Sequence, residues 1–508
     1  MQNERRRSVA LDQMPPQQVG ATPRLSLQEL ERVLWDAACE LRAPVGTDRC
    51  KDYILPLLFF KRLSDVWMAE RVEAMAELGA DWSPEADLDY HSFNLPDGCL
   101  WTDIQEVTHD VGSHLYGMLA QIEQANHRLA GILTDASWAN THNLPESALL
   151  GVIRALSGLD LSPSSAPHDV IGRAYEYLLR EFAEDSGNHA GEFYTPRDVV
   201  RLLVRLVEPH TEETIYDPTC GSGGMLLEAI QEVRDKGEDH RSMRLYGQEV
   251  RPDTATIARI NMFLHGVDDF EIKKGDTLRD PLFRTGDQLQ QFDVVLANPP
   301  FSLKNWGHEN WAQDRFGRSQ GGVPPKGFGD FAFIQHMIAS LNEHGRAAVI
   351  MNHGVLFRGG QERKIRQWLI EQDLVEAVID IPRNLFYATT IPNSLFVLRK
   401  NKPAERRGRV LFIDATKRVQ PGKKINEMFE EDINAIVAAY RAGHDGDGVV
   451  VKVVTDAEIK ERDWSFAFGQ YIPQVLDEEI VDVATAMREW KEASAAAETA
   501  RNRMLEAL

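Results

Sequence analysis

The chain of 508 residues has no long apolar run, and this absence excludes a membrane-spanning helix. Its longest apolar stretch, Tyr53–Phe60, ends at Lys61, whereas about 20 apolar residues are needed to cross a bilayer. Residues 1–22 are polar and contain Arg5–Arg7 but no apolar segment of the kind that a signal peptide requires. We therefore expect a cytoplasmic protein without a membrane partner, whose residues 1–24 form a disordered tail.

Cysteine is scarce as well. The four cysteines, Cys39, Cys50, Cys99 and Cys220, are scattered along the chain without CxxC spacing. Neither a disulfide framework nor a zinc site is expected from such a pattern, and reduced thiols fit a cytoplasmic protein.

Positive charge is in deficit. Lysine and arginine total 56 against 78 acidic residues, which gives a net charge of −22. Proteins that hold a nucleic-acid backbone do so largely with cations that neutralise phosphates. A chain with this balance is therefore not expected to grip DNA unaided.

The N-terminal part of the chain has the periodicity of helices. Ser26 and Glu29 have the spacing of a capping box. Helical patterns follow in residues 51–77, 114–129 and 146–156. We predict a helical domain over residues 25–165. Apolar residues recur at helical intervals after the cap at Leu27, Leu30, Leu34, Ala37, Ala38 and Leu41.

From Val170 onward, short β-rich runs alternate with helical stretches. This texture predicts an α/β fold, doubly wound, with a mostly parallel seven-stranded sheet over residues 166–415. Ligands of such sheets bind outside the carboxyl ends of the strands. The predicted strands are Thr214–Tyr216, Arg244–Gln248, Glu271–Lys273, Asp293–Leu296, Ala347–Met351, Val375–Ile379 and Ser394–Leu398.

Residues 416–508 form a C-terminal region that ends in a predicted long helix. Between Ile480 and Leu508, apolar or small residues recur three and four apart, interrupted at Arg501. The pattern fits a coiled-coil seam that docks a partner. It fits equally a terminal helix that packs on its own domain.

The stretch Asn298-Pro299-Pro300-Phe301 directly follows an apolar strand. Neither proline has an N–H to donate, so the chain must leave the sheet there. The asparagine oxygen and free backbone carbonyls can accept hydrogen bonds from an amino group, and the phenylalanine ring offers a stacking face. This combination suits a planar substrate that carries an exocyclic amine.

Three preceding strand ends also carry polar groups. Asp217–Gly224 is a glycine-rich loop that opens a helix, which favours close approach of a ligand with an anionic group. Leu226 stands where the dinucleotide pattern GxGxxG requires glycine, so a dinucleotide is disfavoured. Glu249 can bind ribose hydroxyls or merely cap a helix, and Asp276 can contact the edge of an adenine ring.

In this order the motifs resemble those of S-adenosylmethionine-dependent amino-methyltransferases, specifically the methylation (M) subunit of type I restriction–modification systems. Gly191–Pro196 is similar to the family motif that closes over the methionine end of the cofactor. Other family segments are resembled by Leu34-Trp35 with Leu41-Arg42 and Asp52–Ser64 in the helical domain, and by His353–Arg358 and Leu385–Thr389 in the core. The resemblance implies a Rossmann-like methyltransferase core and S-adenosyl-L-methionine as the cofactor. It implies cofactor-binding roles for Glu192, Phe193, Tyr194, Thr195, Asp217, Thr219, Gly221, Ser222, Gly223, Glu249, Asp276 and Thr277.

The resemblance also assigns catalysis to the asparagine motif. It implies that Asn298 and the carbonyl of Pro299 accept hydrogen bonds from the adenine N6 amine, with Pro300 next in the motif and Phe301 stacked on the base. No metal is required.

A base inside a duplex cannot reach such a site, so the target adenine must be flipped out. Residues 305–329, rich in glycine and tryptophan, are expected to form a flexible cover. Phe386 or Tyr387 is expected to supply a second stacking face.

Partners follow from size and charge. Residues 416–508 leave little room for a domain that reads a DNA sequence, so recognition of double-stranded DNA is expected to come from a separate specificity (S) subunit. The resemblance implies a second copy of the chain in an M2S1 complex and leaves a restriction (R) subunit open. Two other activities stay open as well: methylation of cytosine N4 or of a protein glutamine amide, and a regulatory subunit that binds the cofactor without catalysis.

Overall fold

The structure is a computed structural model that describes residues 24–185, 195–387, 391–422 and 425–473, together with Met487, Arg488, Trp490, Lys491 and Ala495. Three predicted site residues, Glu192, Phe193 and Tyr194, lie outside the described residues, as do residues 1–23 and most of the predicted C-terminal helix. In the described ranges, no helix has the length and apolar character needed to span a bilayer.

The N-terminal part is helical, as predicted. Helix α1 (Leu27–Val45) begins after Ser26, whose hydroxyl accepts the backbone N–H of Glu29 at 3.3 Å. Its buried face consists of predicted apolar positions, among them Leu34 and Leu41. The following helices are α2 (Thr47–Leu78), α3 (Pro84–Asp87), α4 (Trp101–Gln105), α5 (Val111–Ala125), α6 (Glu146–Ser157) and α7 (His168–Asp185).

The rest of the described chain is built on one sheet in the strand order β11-β10-β8-β9-β7-β6-β1-β2-β3. Five of its pairings are parallel and three are antiparallel. The strands are β1 (Thr214–Asp217), β2 (Arg244–Glu249), β3 (Phe270–Lys274), β6 (Phe292–Ala297), β7 (Leu341–Asn352), β8 (Val375–Asp380), β9 (Asn393–Arg399), β10 (Arg409–Asp414) and β11 (Val450–Thr455), and a separate hairpin joins β4 (Arg284–Thr285) to β5 (Gln288–Leu289).

All seven predicted strands are present, and the sheet extends further than predicted, to nine strands. Strand β10 pairs with β8, and β11 pairs antiparallel with β10. The expected end of the core at residue 415 therefore falls between two paired strands of one sheet. Strand β11 is an edge strand in which Val450 and Val453 are exposed. Its sequence, VVKVVT, does not alternate between apolar and polar residues, and this alternation is the pattern by which half-buried strands are recognised.

Helices cover both faces of the sheet, which is the doubly wound arrangement. One face packs against α8 (Arg197–Val207), α9 (Gly224–Asp235) and α15 (Glu430–Ala442). The opposite face packs against α12 (Asp330–Ala339) and α14 (Gln361–Glu371). The remaining helices are α10 (Pro252–Leu264), α11 (His308–Trp311), α13 (Gly354–Phe357) and α16 (Asp456–Glu461).

The helical part and the sheet part share an apolar core along α10. Phe59 stacks on Phe263 with ring centroids 5.7 Å apart, and the hydroxyl of Tyr175 donates to the carbonyl of Ile257 at 3.1 Å. Helix α7 follows the predicted boundary at residue 165, yet it packs into the helical cluster. The two parts therefore meet at a packed interface and not at a linker.

Candidate active site

The carboxyl ends of β1, β2, β3 and β6 open into one cleft of about 820 Å³. This is the edge of the sheet at which ligands of doubly wound folds bind. Residues from all four predicted strand-end motifs line it. The predicted residues that the cleft brings together are Thr195, Asp217, Thr219, Gly221, Ser222, Glu249, Asp276, Thr277, Asn298, Pro299, Pro300, Phe301 and Phe386.

Two predicted residues do not line the cleft. Gly223 has a φ of +81°, and a Cβ at this position would lie 2.5 Å from Cε of Met262, so its glycine is required by backbone conformation and packing. Tyr387 donates its hydroxyl proton to the carboxylate of Glu184 at 3.0 Å. Of the two candidate stacking aromatics, only Phe386 faces the cleft.

The glycine-rich loop is held by hydrogen bonds from the neighbouring strand ends. The backbone N–H of Cys220 donates to the carbonyl of Gln248 at 3.1 Å, and the hydroxyl of Thr277 donates to the carbonyl of Pro218 at 2.6 Å. Asp217 is 2% exposed, and burial raises its pKa to about 8. This carboxyl is therefore largely protonated at neutral pH.

Glu249 connects the loop to the end of β2. Its two carboxylate oxygens accept the backbone N–H groups of Gly221 at 3.0 Å and Arg251 at 2.9 Å. Each oxygen has a second lone pair, so the carboxylate can still accept bonds from ligand hydroxyls. Asp276 similarly accepts the N–H groups of Leu278 and Arg279, at 3.0 and 3.1 Å.

The asparagine motif lines the cleft and carries two hydrogen-bond acceptors, Oδ1 of Asn298 and the carbonyl of Pro299. The Nδ2 group of Asn298 donates to the hydroxyl of Thr195 at 2.9 Å. Within the described part of the chain, neither Oδ1 of Asn298 nor the carbonyl of Pro299 accepts a hydrogen bond. Phe301 packs partly against the core beside them. The site can therefore receive the two N–H groups of a planar amine next to an aromatic ring.

Sequence reasoning missed the residues that hold the turn after this motif. Ser302 has a φ of +52°, and its N–H donates to Oδ1 of Asp330 at 2.9 Å. Asp330 is 1% exposed and also accepts from Asn352 at 2.7 Å and Arg358 at 3.3 Å. The signal that could have located this network is the segment His353–Arg358, which resembles a family segment and contains Arg358.

The prediction that residues 305–329 form a flexible cover is wrong. Trp306 and Trp311 are 1% and 2% exposed, and their rings pack 5.2 Å apart. Arg318 is buried, donates to the carbonyls of Thr277 and Leu278 at 3.1 and 3.0 Å, and lies over the Trp311 ring at 4.5 Å. The segment packs beside the end of β3, because Trp306 and Trp311 form a small apolar core with Leu278, Ala332 and Phe333.

The chemistry of the cleft fits the cofactor that the motifs imply. Two buried carboxyls and the backbone N–H groups of a glycine-rich loop at the start of α9 can receive a ligand that combines hydroxyls, a planar heterocycle and a charged amino-acid end. In the part of the chain that the structure describes, no group of three or more histidine, cysteine or acidic residues is arranged to bind a metal.

Two family models match the chain. One is described as N-6 DNA Methylase and matches residues 166–479. The other is described as HsdM N-terminal domain and matches residues 30–156.

Similar proteins agree with these matches. A type I restriction enzyme MjaVII methylase subunit from Methanocaldococcus jannaschii is 36% identical over 70% of this chain and 60% of its own length. The MjaVIII methylase subunit of the same organism is 30% identical over 92% of this chain and 83% of its own length. The crystal structure of the type I restriction–modification methyltransferase subunit from Streptococcus thermophilus superposes with a TM-score of 0.78 at 30% identity, covering 88% of this chain and all of that one.

Proposed function

The chain belongs to the N-6 DNA methylase family, as a methylase subunit of the type I restriction–modification kind, and on that premise we propose that it methylates the N6 amine of a flipped-out adenine in a specific DNA sequence. S-adenosyl-L-methionine, when bound, supplies the methyl group. The observation that carries the proposal is the pair of acceptors at Asn298 and Pro299, which no described residue engages, beside Phe301 in the same cleft as the glycine-rich loop.

The two acceptors address the central difficulty of the reaction. The adenine N6 amine is a poor nucleophile because its lone pair is delocalised into the ring. Hydrogen bonds from its two N–H groups to Oδ1 of Asn298 and the carbonyl of Pro299 favour the pyramidal amine, whose lone pair is free to attack. The remaining contribution of the chain is positioning, since holding the reacting groups at near-attack distance removes much of the barrier.

We assign the cofactor to the side of the cleft formed by β1, β2 and β3. Glu249 is placed to bind ribose hydroxyls and Asp276 to contact the adenine edge, while the loop from Asp217 to Gly224 lies at the start of α9. Their carboxyl and backbone groups are the donors and acceptors that such a ligand needs. The segment Gly191–Pro196 belongs to this site by resemblance.

The target base is assigned to the side of the cleft formed by Phe301 and Phe386. Both rings line the cleft, and Phe386 is 7% exposed. Tyr387 is engaged by Glu184, so Phe386 is the second stacking face that we propose. Extrusion of the adenine from the duplex costs a few kcal/mol for unstacking, which stacking within the site offsets.

A specificity subunit is the proposed source of sequence recognition. The net charge of −22 supports this, because a subunit that grips DNA alone needs a surplus of cations. We propose an assembly with one specificity subunit and a second copy of this chain. Co-expression with the products of neighbouring genes, followed by sequencing that reports modified bases, tests it: N6-methyladenine at one bipartite motif is expected, and N4-methylcytosine would overturn the substrate.

Removal of the asparagine amide tests the catalytic assignment. In the assembled complex, Asn298→Ala is expected to lower the rate of methyl transfer by about 10²–10³, the cost of losing one positioned hydrogen-bonding group. Binding of S-adenosylmethionine, measured by calorimetry, is expected to change little. Asn434→Ala on the exposed side of α15 is the matched control and is expected to methylate normally. Transfer at the native rate by Asn298→Ala would refute the assignment.

A further inference from the structure

Phosphates must lie at the mouth of any cleft that holds a flipped-out base, because the base stays bonded to its sugar and the sugar to the backbone. Proteins hold these phosphates with lysine and arginine. A cation that is already paired with an acid of the same chain has little net charge to offer. The informative cations near the cleft are therefore those without an acidic partner.

Three cations line the cleft, and one of them has no acidic partner in the described part of the chain. Arg197 lies 3.5 Å from Glu228, and Arg251 lies 2.8 Å from Asp253. Lys304 is exposed and forms neither an ion pair nor a side-chain hydrogen bond with a described residue. It follows closely after the asparagine motif, so its ammonium group is available on the side of the cleft that we assign to the base.

A second such lysine lies on the same segment, residues 302–330. Lys326 is exposed and likewise contacts no acid among the described residues. Every other charged side chain of the segment is paired, including Arg315 with Asp287 at 3.3 Å. The two lysines thus give this segment a local positive charge in a chain whose net charge is −22. The remaining pairs are Glu309 with Arg279 at 3.3 Å, Asp314 with Arg318 at 2.6 Å and Asp330 with Arg358 at 3.3 Å.

The fold brings these lysines onto neighbouring stretches, which we call the lysine rim. Lys304 belongs to residues 303–306, and Lys326 belongs to residues 325–329, which run beside them. Trp306 is 1% exposed and anchors the first stretch, so the rim is fixed in place beside the cleft. The stretches are joined by hydrogen bonds from the N–H of Gly329 to the carbonyl of Leu303 at 3.1 Å and from the indole N–H of Trp306 to the carbonyl of Pro325 at 3.2 Å.

We propose that the lysine rim, Lys304 and Lys326, contacts the phosphate backbone of the duplex next to the flipped nucleotide, an inference that rests on the proposed function. Lysine suits this contact because its ammonium is a point charge on a flexible stem. Phosphate contacts position a duplex without reading its sequence, which leaves recognition to the specificity subunit. Two lysines supplement the DNA contacts of the assembled complex and do not replace them.

Lys304→Gln and Lys326→Gln test the proposal in the complex with the specificity subunit. Binding of a duplex that carries the target site is measured over a series of salt concentrations. Each substitution is expected to make the slope of log affinity against log salt shallower by about 0.9, because one phosphate contact fewer releases fewer counterions. Affinity at low salt is expected to fall by up to about fivefold, the effect of one exposed ion pair.

Two further measurements separate a phosphate contact from a general defect. Affinity for a duplex without the target site is expected to fall by the same factor, because phosphate contacts carry no sequence information. In methylation assays, KM for DNA is expected to rise while kcat stays within about twofold of the native value. Lys304→Arg retains the charge and is expected to keep the native slope.

Lys452→Gln is the matched control. Lys452 is exposed on β11, the edge strand at the end of the sheet opposite β3, and it forms no ion pair with a described residue. The same loss of charge is expected there to leave the salt dependence unchanged. Thermal unfolding checks the fold of each variant, and co-purification of the specificity subunit checks assembly.

The outcomes distinguish this inference from the proposed function. Shallower slopes in both rim variants, with a native slope in the control, support it. A native slope in either rim variant overturns the assignment of that lysine. Weaker binding of S-adenosylmethionine by Lys304→Gln, or loss of the specificity subunit, overturns it in favour of a cofactor or protein contact. Asn298→Ala keeps the rim and is expected to bind DNA with the native slope, so its native activity would refute the catalytic function alone.

Discussion

At the scale of the residue, Asp217 is a buried carboxyl whose charge state changes on folding. Burial raises its pKa from 3.8 to about 8. Between these values the folded chain holds a proton that the unfolded chain has released, so this group makes the protein less stable as the pH rises. The contribution of Asp217 to the free energy of unfolding is fully present below about pH 4 and is lost as the pH rises through about 8.

Asp217→Asn is expected to remove this pH dependence. Asparagine keeps the oxygen that accepts the Thr219 N–H at 2.9 Å and cannot ionise. The free energy of unfolding of the native protein minus that of the variant, measured by denaturant titration, is expected to fall between pH 5 and pH 8. A difference that stays constant over this range would contradict the raised pKa.

Individual site residues were predictable where they end consecutive parallel strands. Asp217, Glu249, Asp276 and Asn298 meet in one cleft because the carboxyl ends of parallel strands share an edge of the sheet. Pairings across long stretches of chain were not predictable, and the hydrogen bond from Asn298 to Thr195 is one of them.

At the scale of the element, the turn after the asparagine motif depends on Asp330. Asp330→Ala would leave the Ser302 N–H and the Asn352 amide without their buried acceptor, while Arg358 would keep its contact with Glu362 at 3.1 Å. A buried hydrogen-bond donor left without a partner costs about 1–3 kcal/mol. We expect a loss of this size in the free energy of unfolding, measured by denaturant titration, together with slower methyl transfer.

A surface aspartate provides the control for this substitution. The Asp268 side chain is 85% exposed and lies 3.3 Å from Arg128. Because exposed ion pairs contribute about 0–1 kcal/mol, Asp268→Ala is expected to have little effect on stability or transfer. Equal destabilisation by the two substitutions would show that the Asp330 network does not hold the turn.

Elements were predictable where periodicity reports burial. Six of the seven recognised strands contain buried apolar residues, whereas those of β3 are only partly buried, and Ser26 marks the start of α1. The segment 305–329 was misread because its glycine content indicates flexibility, while the packing of Trp306 and Trp311 depends on residues distant in sequence, such as Phe333.

At the scale of the whole molecule, α10 lines the cleft on the side proposed for the cofactor and also contacts the helical part. Asn261 on this helix lines the cleft and donates to the carbonyl of Ser222 at 2.9 Å, and Phe263 packs under Phe59. Near Val170 the sequence changes from helical periodicity to β-rich runs that alternate with helices. The sequence did not show that the helical part and the sheet part share a core, because a shared core depends on contacts between apolar side chains that are distant in sequence.

Phe263→Ala is expected to destabilise both parts together. Loss of a buried phenylalanine costs about 3–5 kcal/mol, and Phe263 is 8% exposed. Calorimetry is expected to show one transition at a lower temperature, with weaker binding of S-adenosylmethionine because α10 loses support. Phe357→Ala, at a side chain that is 60% exposed, is the control and should leave the transition unchanged. Two separate transitions would contradict a shared core.

The shared core along α10 also determines how subunits of this kind can be recombined. Consider a chimera joined at residue 165, in which the helical part comes from another subunit. Helix α7 and the apolar side of α10 would then pack against helices of different sequence, so Ile257, Ile260 and Phe263 would lose their native contacts. Exchange of the helical part therefore requires that α7 and the helix-facing positions of α10 be exchanged with it. The segments that must be exchanged together are thus discontinuous in sequence and include α10, which also lines the candidate active-site cleft.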